Sequence, residues 1–243
     1  ELPATSGLLN LSASAIEEYA KCSYKYRLGK LDGFPEKKSS AQMEFGNIIH
    51  KTLQSFHEID DIRLEKLLEL FEQNWRSDAF EYLIREEEFK IQGHNMMKDY
   101  FNFVQSNPPN VVKCEASFEF IMEDINVRLK GKIDRIDKVD NKLFVLDYKT
   151  GKLSSNEKSK KSLQLALYIE ALNRGAVKDV KGETGAAQLL YLKDLDTPLD
   201  PHEFNEKELE KHLEKVRKAA DGIRNGIFEP KPGPFVCKYC DYQ

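Results

Sequence analysis

The spacing of apolar residues changes near residue 107, and this change constrains the fold more than any other feature of the sequence. Before it, apolar residues recur every three or four positions over residues 10–30, 41–57 and 63–75, and in a stretch that runs to about residue 105. Asn107, Pro108 and Pro109 end this half, because proline cannot continue a helix. Residues 111–122 then alternate apolar and polar side chains, which is typical of a strand. We therefore predict a mostly helical first half and a sheet in the second.

The order of elements in the second half predicts a mixed α/β sheet. Strands over residues 111–122, 125–136 and 142–149, separated by turns at Asp124 and Asp140, form an antiparallel meander. A helix over residues 162–173 and an apolar strand over 186–192 follow, and a helix between two strands implies a crossover connection. A charged helix over residues 205–225 comes last. At the other end of the chain, Ser14 and Glu17 have the spacing of a helix-starting capping box.

We expect one domain over residues 1–243. It divides into a mostly helical portion over residues 1–107 that carries Cys22 and His50, a sheet core over 108–200, and a helix with a Cys-x-x-Cys tail over 201–243. The chain starts at Glu1, with no initiator Met and no secretory signal pattern, so we expect a cytoplasmic fragment of a larger protein. No apolar run approaches the roughly 20 residues that a membrane span needs.

The charge distribution excludes little. The net charge of −4 argues weakly against a protein that coats DNA passively, but a nuclease needs carboxylates at its metal site. Residues 149–161 contain a single acid, Glu157, and a group of lysines: Lys149, Lys152, Lys158, Lys160 and Lys161. This stretch fits a lip that contacts phosphates, and it fits a solvated loop equally well.

Two aspartates fall late in neighbouring predicted strands. If residues 125–136 and 142–149 pair as a hairpin about Asp140, the paired residue numbers sum to about 281, and Asp134 lies opposite Asp147. Two facing carboxylates repel unless a cation lies between them. Lys149, two residues after Asp147, projects from the same face. Two acids and a lysine in one place can hold Mg²⁺ and act on a phosphodiester.

The alternative is that these are surface residues of a hairpin and that Lys149 is their salt-bridge partner. Two features argue against it. Residues 143–146 are continuously apolar, and an aspartate that ends such a buried strand is costly without a partner. Gly131 interrupts the strand just before Asp134, as expected where a backbone or a ligand comes close.

Five stretches, in order, resemble a known family. Gly131–Asp134 and Asp147–Lys149 resemble motifs II and III of the PD-(D/E)XK nuclease superfamily, and specifically of its RecB/AddB branch, which includes the CRISPR-associated exonucleases. Gly46–His50 resembles the Gly-x-x-x-His helix of that branch, and Gln164–Tyr168 resembles its Gln-x-x-x-Tyr helix. Residues 12–28 resemble its N-terminal helix, which bears a cysteine.

The resemblance implies a restriction-endonuclease-like core and a DNA nuclease, specifically an exonuclease acting on a single strand. It implies that His50, Asp134, Asp147 and the Tyr148 carbonyl bind one or two Mg²⁺ or Mn²⁺ ions and that Lys149 assists the attacking water. It also implies a helicase or translocase partner, in the same polypeptide or in a complex, and a role in double-strand break repair. The alternatives are a free-standing CRISPR-type exonuclease and a nuclease fold that only binds DNA or scaffolds a complex.

Some residues of these stretches have a simpler explanation. Gly46 lies one turn before His50 on the same helix face and leaves space beside it, which favours metal ligation over a structural histidine. Gln164 and Tyr168 either contact DNA or the catalytic groups, or form a helix-surface pair. Glu115 is either a further acid of the site or a solvated residue of its strand.

The four cysteines, Cys22, Cys114, Cys237 and Cys240, do not indicate a disulfide scaffold. The Cys-x-x-Cys pair at the end of the chain suggests a metal or cluster site. The resemblance implies that Cys22, Cys237 and Cys240 hold a [4Fe–4S] centre that joins the two ends of the chain, with zinc as a competitor. The fourth ligand of that pattern is not in this chain, so it lies beyond Gln243 or the site is incomplete. Cys114 fits a small buried apolar residue.

Overall fold

A computed structural model describes residues 7–35, 41–80, 83–238 and 240–242. The strands are β1 (Leu9–Leu11), β2 (Val111–Met122), β3 (Val127–Val139), β4 (Lys142–Lys149) and β5 (Glu183–Tyr191). The helices are α1 (Ala13–Lys21), α2 (Ser23–Tyr26), α3 (Ala41–His57), α4 (Leu64–Asn74), α5 (Leu83–Ser106), α6 (Leu163–Asn173), α7 (Glu206–Arg224) and α8 (Pro234–Cys237). None of the helices in these ranges is both long enough and apolar enough to cross a membrane.

The strands form one mixed sheet, as predicted. β2, β3 and β4 are an antiparallel meander, and α6 carries the chain over to β5, which pairs with β4 in parallel. In the β3–β4 turn, Asp140 and Asn141 both have positive φ angles, of 48° and 65°, as a tight two-residue hairpin requires. This turn sets the register, which pairs Arg135 with Leu146 and so confirms the predicted sum of 281.

One edge of β3 is shared between two partners. β2 runs along the other edge, while β1 pairs with β3 at residues 127–129 and β4 pairs with it at residues 135–139. Among the described residues, positions 130–134 therefore have no strand partner on the shared edge. The sheet is open at this point, immediately before its register with β4 begins.

Two apolar cores cover the faces of the sheet. One contains residues of α1, α6 and α7, and the other is built on α3, α4 and α5. β4 contributes Leu143 and Val145 to the first core and Leu146 and Tyr148 to the second. The prediction that this strand is buried on both faces is therefore confirmed.

The N-terminal segment differs from the single helix predicted over residues 10–30. Asn10 lies in β1, paired with Arg128, so the helix starts later. The cap is Ser12, whose hydroxyl accepts a hydrogen bond from the Ala15 N–H, and not Ser14. The helix ends at Cys22, whose extended backbone separates α1 from α2, and a π-helical turn over Arg27–Leu31 follows.

The predicted strand over residues 125–136 also needs correction. Glu123–Ile125 is a 3₁₀ turn, and β3 runs from Val127 to Val139 without a break at Gly131. A close approach at Gly131 does occur, but a side chain makes it: a Cβ there would lie 2.7 Å from the ring of Phe118. The glycine therefore makes room for packing within the sheet and not for a ligand.

A second close approach joins the two ends of the chain. The Tyr19 hydroxyl donates a 2.7 Å hydrogen bond to the Ile227 carbonyl, and a Cβ on Gly222 would lie 2.1 Å from that hydroxyl. We expect Gly222→Ala to lower the free energy of unfolding by about 1–3 kcal/mol. The added methyl group would displace the rigid Tyr19 ring and break the hydrogen bond of its hydroxyl. Urea unfolding measures this change.

Gly46→Ala is the control for the stability experiment, because its Cβ would meet only Thr150 Oγ1, at an ordinary 3.6 Å. This substitution is expected to raise stability by up to about 1 kcal/mol through helix propensity. Equal effects of the two substitutions would contradict the steric explanation.

Candidate metal-binding active site

Asp134 lies at the opening of the sheet. It is one position beyond the last hydrogen-bonded pair of β3 and β4, and its side chain is 10% exposed. Its Oδ2 accepts a 2.8 Å hydrogen bond from the Tyr148 N–H, so a carboxylate takes the place of a backbone carbonyl in the ladder. The register places Asp147 on the opposite strand, as the sequence predicted.

α3, which packs on the face of the sheet that carries Leu146 and Tyr148, brings His50 to the same opening. His50 Nδ1 lies 3.4 Å from Asp134 Oδ2. Gly46, one turn earlier, faces Thr150 just after β4, where a Cβ would lie at an ordinary contact distance of 3.6 Å from Thr150 Oγ1. Burial lowers the pKa of His50, but the hydrogen bond to Asp134 and the charges of Asp134, Asp147 and Glu115 outweigh burial and raise it. The opening therefore favours positive charge.

Glu115 on β2 completes a group of three possible metal ligands. One ligand atom each from His50, Glu115 and Asp134 lies within 4.8 Å of the others, and this is the only such group found among the described residues. The Glu115 backbone has a φ of 47°, a left-handed conformation that is rare in a strand. Lys132 lies 2.9 Å from the carboxylate. The sequence left the role of Glu115 open, because strand alternation does not reveal such a backbone distortion.

Asp147 is next to this group but is not part of it. Its side chain is 1% exposed, its Oδ1 accepts a 3.3 Å hydrogen bond from the Tyr168 hydroxyl, and Lys149 Nζ lies 2.5 Å from its Oδ2. Burial and the charge of Asp134 raise its pKa, although Lys149 and His50 act in the opposite direction. A second positive charge near the two aspartates would relieve their repulsion.

Lys149 belongs to a closed ring of side chains. Its Nζ donates a 3.1 Å hydrogen bond to Gln164 Oε1, the Gln164 amide donates to the Tyr168 hydroxyl, and that hydroxyl donates to Asp147. Burial lowers the pKa of Lys149, but Asp147 outweighs burial, so the net shift is upward. The ammonium group of Lys149 is therefore positively charged and fixed in place by its hydrogen bonds. Gln164 and Tyr168 lie one turn apart on α6 and hydrogen-bond to this lysine and its partner Asp147; Tyr168 is buried and Gln164 is half-buried.

The donor set fits a hard divalent cation. Carboxylate oxygens and an imidazole converge where the sheet is open, and such ligands suit Mg²⁺ and Mn²⁺. The charge of Asp134 raises the pKa of Asp147, and nearby positive charges lower it, so a bound cation would further stabilise the two carboxylates. Next to the opening, the loop that follows Lys149 exposes a group of side chains: Lys152, Lys158, Lys160 and Lys161.

The cysteines are elsewhere. Contacts between the ends of the chain bring Cys22 near the C-terminal segment: Ser23 Oγ donates a hydrogen bond to the Glu229 carbonyl, and Lys25 pairs with Asp241 at 2.7 Å. Backbone N–H groups of Lys231, Lys25 and Tyr24 outweigh burial and lower the pKa of Cys22. Among the described residues, the thiols of Cys22, Cys237 and Cys240 do not all lie within 4.8 Å of one another, so they do not form a ligand group for a single metal ion.

Cys114 is half-buried rather than fully buried. Burial raises the pKa of its thiol to about 12. A thiol that stays protonated at neutral pH is a poor metal ligand, which agrees with the prediction of an apolar packing residue.

Comparisons with known proteins agree with this geometry. The chain is 24% identical over 268 residues to the Gene 69 protein of Mycobacterium phage D29, covering 95% of this chain and 93% of the phage protein. It is 28% identical over 229 residues to one of the subunits of the ATP-dependent helicase/deoxyribonuclease of Streptococcus uberis, covering 84% of this chain but only 20% of that protein.

The same fold occurs in a crystal structure of a candidate exonuclease from Eubacterium rectale. The TM-score is 0.54 at 13% identity, and the match covers 98% of this chain and 89% of the other. The mixed sheet and its flanking helices therefore have the restriction-endonuclease-like nuclease architecture. The model of the PDDEXK_1 family matches residues 10–243, and this chain belongs to the PD-(D/E)XK nuclease superfamily.

Proposed function

We propose that this domain hydrolyses DNA phosphodiester bonds with Mg²⁺ or Mn²⁺, and that it degrades single-stranded DNA from an end. One observation carries the proposal: possible ligand atoms of His50, Glu115 and Asp134 converge in the opening of the sheet that also holds Asp147 and Lys149. Membership of a nuclease superfamily supports it.

In this proposal the cation is held by His50, Asp134, Asp147 and the Tyr148 carbonyl. We add Glu115, because its carboxylate lies in the same group of possible ligands as His50 and Asp134. When bound, a divalent ion polarises the phosphate and lowers the pKa of water, which gives a nucleophile at neutral pH. The surrounding acids raise the pKa of His50 in spite of its burial, so they favour positive charge at this place, which supports the assignment.

Lys149 supplies a fixed positive charge to the reacting phosphate. Because its pKa is raised, it acts as a cation that stabilises developing charge and orients the attacking water, and it does not act as a base. Gln164 and Tyr168 hold the ammonium group in place. Preorganisation of this kind lowers the barrier, since the charge needs no rearrangement during the reaction.

The exposed lysines of residues 150–161 contact the DNA backbone in this proposal. We expect the triple substitution Lys158→Ala, Lys160→Ala and Lys161→Ala to weaken single-stranded DNA binding. The slope of log Kobs against log salt should become shallower by about 2, since each lost phosphate contact removes roughly 0.7. Fluorescence anisotropy at several salt concentrations measures this slope.

The control replaces three exposed lysines on other elements, Lys98, Lys138 and Lys218, with alanine. This variant removes the same net charge, so it separates local contacts from the overall charge. Equal slopes for the two triple variants would show that the loop makes no specific phosphate contacts.

The partner in this proposal is a helicase or translocase module acting in double-strand break repair in the cytoplasm. The name of the Streptococcus uberis relative combines helicase and deoxyribonuclease, and the matched segment is a fifth of that protein. A module that separates strands would provide the single-stranded substrate. To test this part, the domain is used to pull down partners in the presence of DNA ends, and the bound fraction is assayed for ATP-dependent unwinding of duplex DNA.

The test of the proposed function uses end-labelled single-stranded and duplex DNA. We expect cleavage of the single strand with Mg²⁺ or Mn²⁺, release of short products from one end, and no cleavage after chelation. A circular single strand should resist. Tight DNA binding without cleavage in either metal would instead indicate a domain that binds DNA only.

Glu115→Gln tests the residue that the sequence left open. We expect Mn²⁺ binding to weaken by roughly ten-fold or more, because a neutral amide replaces a charged ligand. Glu119→Gln is the matched control, because Glu119 lies on the same strand and pairs with Arg128 at 3.1 Å, outside the group of possible ligands. Titration calorimetry measures both; the same affinity for E115Q and the wild type would exclude Glu115 as a ligand.

For the cysteines, we propose a [4Fe–4S] centre, with zinc as the competitor, on Cys22, Cys237 and Cys240. The thiolate chemistry and the contacts between the chain ends support it, and no step of the reaction is assigned to it. Elemental analysis for iron and zinc with an absorption spectrum decides between the two metals and neither.

A further inference from the structure

A buried guanidinium lies behind the active site, on the face of β3 and β4 that packs against α3 and α5. Arg135 is 3% exposed. Its Nη1 lies 2.8 Å from the Tyr148 hydroxyl, 2.6 Å from the Tyr100 hydroxyl and 3.0 Å from His57 Nε2. Its Nη2 donates a 2.8 Å hydrogen bond to Asp137. We call these five residues the Arg135 network.

β3, β4 and α3 each carry both a proposed metal ligand and a member of the Arg135 network. Arg135 directly follows Asp134, and Tyr148 directly follows Asp147. His57 lies two turns after His50 on the same helix, on the same face. The ring of Tyr148 also meets the ring of His50 edge to face, with centroids 6.0 Å apart at 90°.

On the edge of β3 that faces β4, strand pairing does not extend to Asp134. Positions 130–134 of β3 have no strand partner on the edge shared by β1 and β4, so the hydrogen-bonded register with β4 begins at Arg135. β2 holds both neighbours of Asp134 on the other edge, but toward β4 the first residue in register is Arg135, which also binds Tyr148 and His57.

We propose that Arg135 is a positioning residue that sets the distances among His50, Asp134 and Asp147, and thereby the affinity for the divalent cation. This inference rests on the proposed function. Groups that orient metal ligands typically change metal affinity by about 10–100-fold when they are replaced. An arginine suits the role because its planar fork bonds several acceptors at fixed angles.

The test compares Arg135→Lys with Arg224→Lys. Lysine keeps a positive charge near Asp137, but its single nitrogen cannot reproduce the planar fork that reaches Asp137 through Nη2 and the two tyrosine hydroxyls through Nη1. Arg224 is the matched control: its guanidinium bonds the carbonyls of Gly7, Ile125 and Asn126 at the other end of β3. Both arginines therefore hydrogen-bond to several elements, but only Arg135 lies next to the proposed metal site.

We measure Mn²⁺ binding by titration calorimetry without DNA, together with urea unfolding. Arg135→Lys should weaken Mn²⁺ binding by about 10–100-fold, while Arg224→Lys should bind like the wild type at comparable stability. Wild-type affinity in R135K, or an equal loss in R224K, would overturn the proposal. If R135K does not fold, Tyr148→Phe, which removes one hydroxyl of the network, replaces it with the same expected direction.

If the wild type binds no Mn²⁺, the proposed function fails, and crystal structures decide the proposal on Arg135. The separation of His50 Nδ1 and Asp134 Oδ2, now 3.4 Å, should change by more than about 0.5 Å in R135K and stay constant in R224K. An unchanged separation in R135K would show that Arg135 does not position the site.

Discussion

Asp147→Asn is expected to lower the rate of single-stranded DNA cleavage by at least about a thousand-fold, since loss of an anionic ligand removes several kcal/mol of metal-assisted stabilisation. Asparagine has nearly the same shape but no charge, so it can neither balance a divalent cation nor pair with Lys149. The carboxylate is the only anion within salt-bridge distance of Lys149 among the described residues, at 2.5 Å. The substitution therefore affects both the cation and the fixed ammonium group.

The same substitution should leave the fold intact. Burial and the charge of Asp134 raise the pKa of Asp147, which means that the folded protein disfavours this charge when no metal is bound. A neutral side chain at that position should not reduce metal-free stability. Asp196→Asn, on an exposed loop, is the activity control. Cleavage by D147N within ten-fold of the control, with both proteins folded, would contradict the assignment.

Arg135→Met is expected to lower the free energy of unfolding by about 3–5 kcal/mol, because it leaves Asp137 buried without its counter-charge. The Asp137 side chain is 6% exposed, and its Oδ1 already has no hydrogen-bond partner among the described residues. For a domain of ordinary stability, about 5–15 kcal/mol, this is about a fifth or more of the total. Urea unfolding at neutral pH measures the loss.

The double variant Arg135→Met with Asp137→Leu should recover most of that stability. Apolar side chains of similar size often replace a buried ion pair without loss. The remaining polar groups can satisfy one another, because the Tyr100 hydroxyl lies 2.8 Å from the Tyr148 hydroxyl and also contacts His57 Nε2. A double variant as unstable as R135M would show that the loss does not come from the unpaired carboxylate.

The pH dependence of R135M follows from two shifts in the same direction. Burial raises the pKa of Asp137 and Arg135 opposes this, so removing Arg135 raises it further. Burial and Arg135 lower the pKa of His57 to about 3, so removing Arg135 raises that as well. In both cases the folded variant binds more protons than the folded wild type. The destabilisation by R135M should therefore be smaller at pH 5 than at pH 8.

Much of the fold follows from local patterns in the sequence. Alternation over β2, the apolar run of β4 and the turn at Asp140 define the hairpins, and a hairpin has only one register for a given turn. That register is why Asp134 and Asp147 could be placed opposite each other. The crossover through α6 to β5 follows equally from the order of elements.

Features that depend on distant contacts could not be predicted in this way. β1 is three residues long and exists because β3, more than a hundred residues away, pairs with it. The positive φ of Glu115 and the Arg135 network depend on packing between β2, β3, α3 and α5. Such contacts leave no periodic signal in the sequence. The position of Arg135 directly after Asp134 therefore did not predict its network.

The central claim is that one divalent cation binds where β3 and β4 separate. Anomalous diffraction from crystals grown with Mn²⁺ tests it most directly. We predict a single strong peak within about 2.5 Å of a nitrogen of His50 and an oxygen of Asp134, with Glu115 or Asp147 as a further ligand. No peak at this opening at millimolar Mn²⁺, or a peak that touches none of these side chains, would contradict the account.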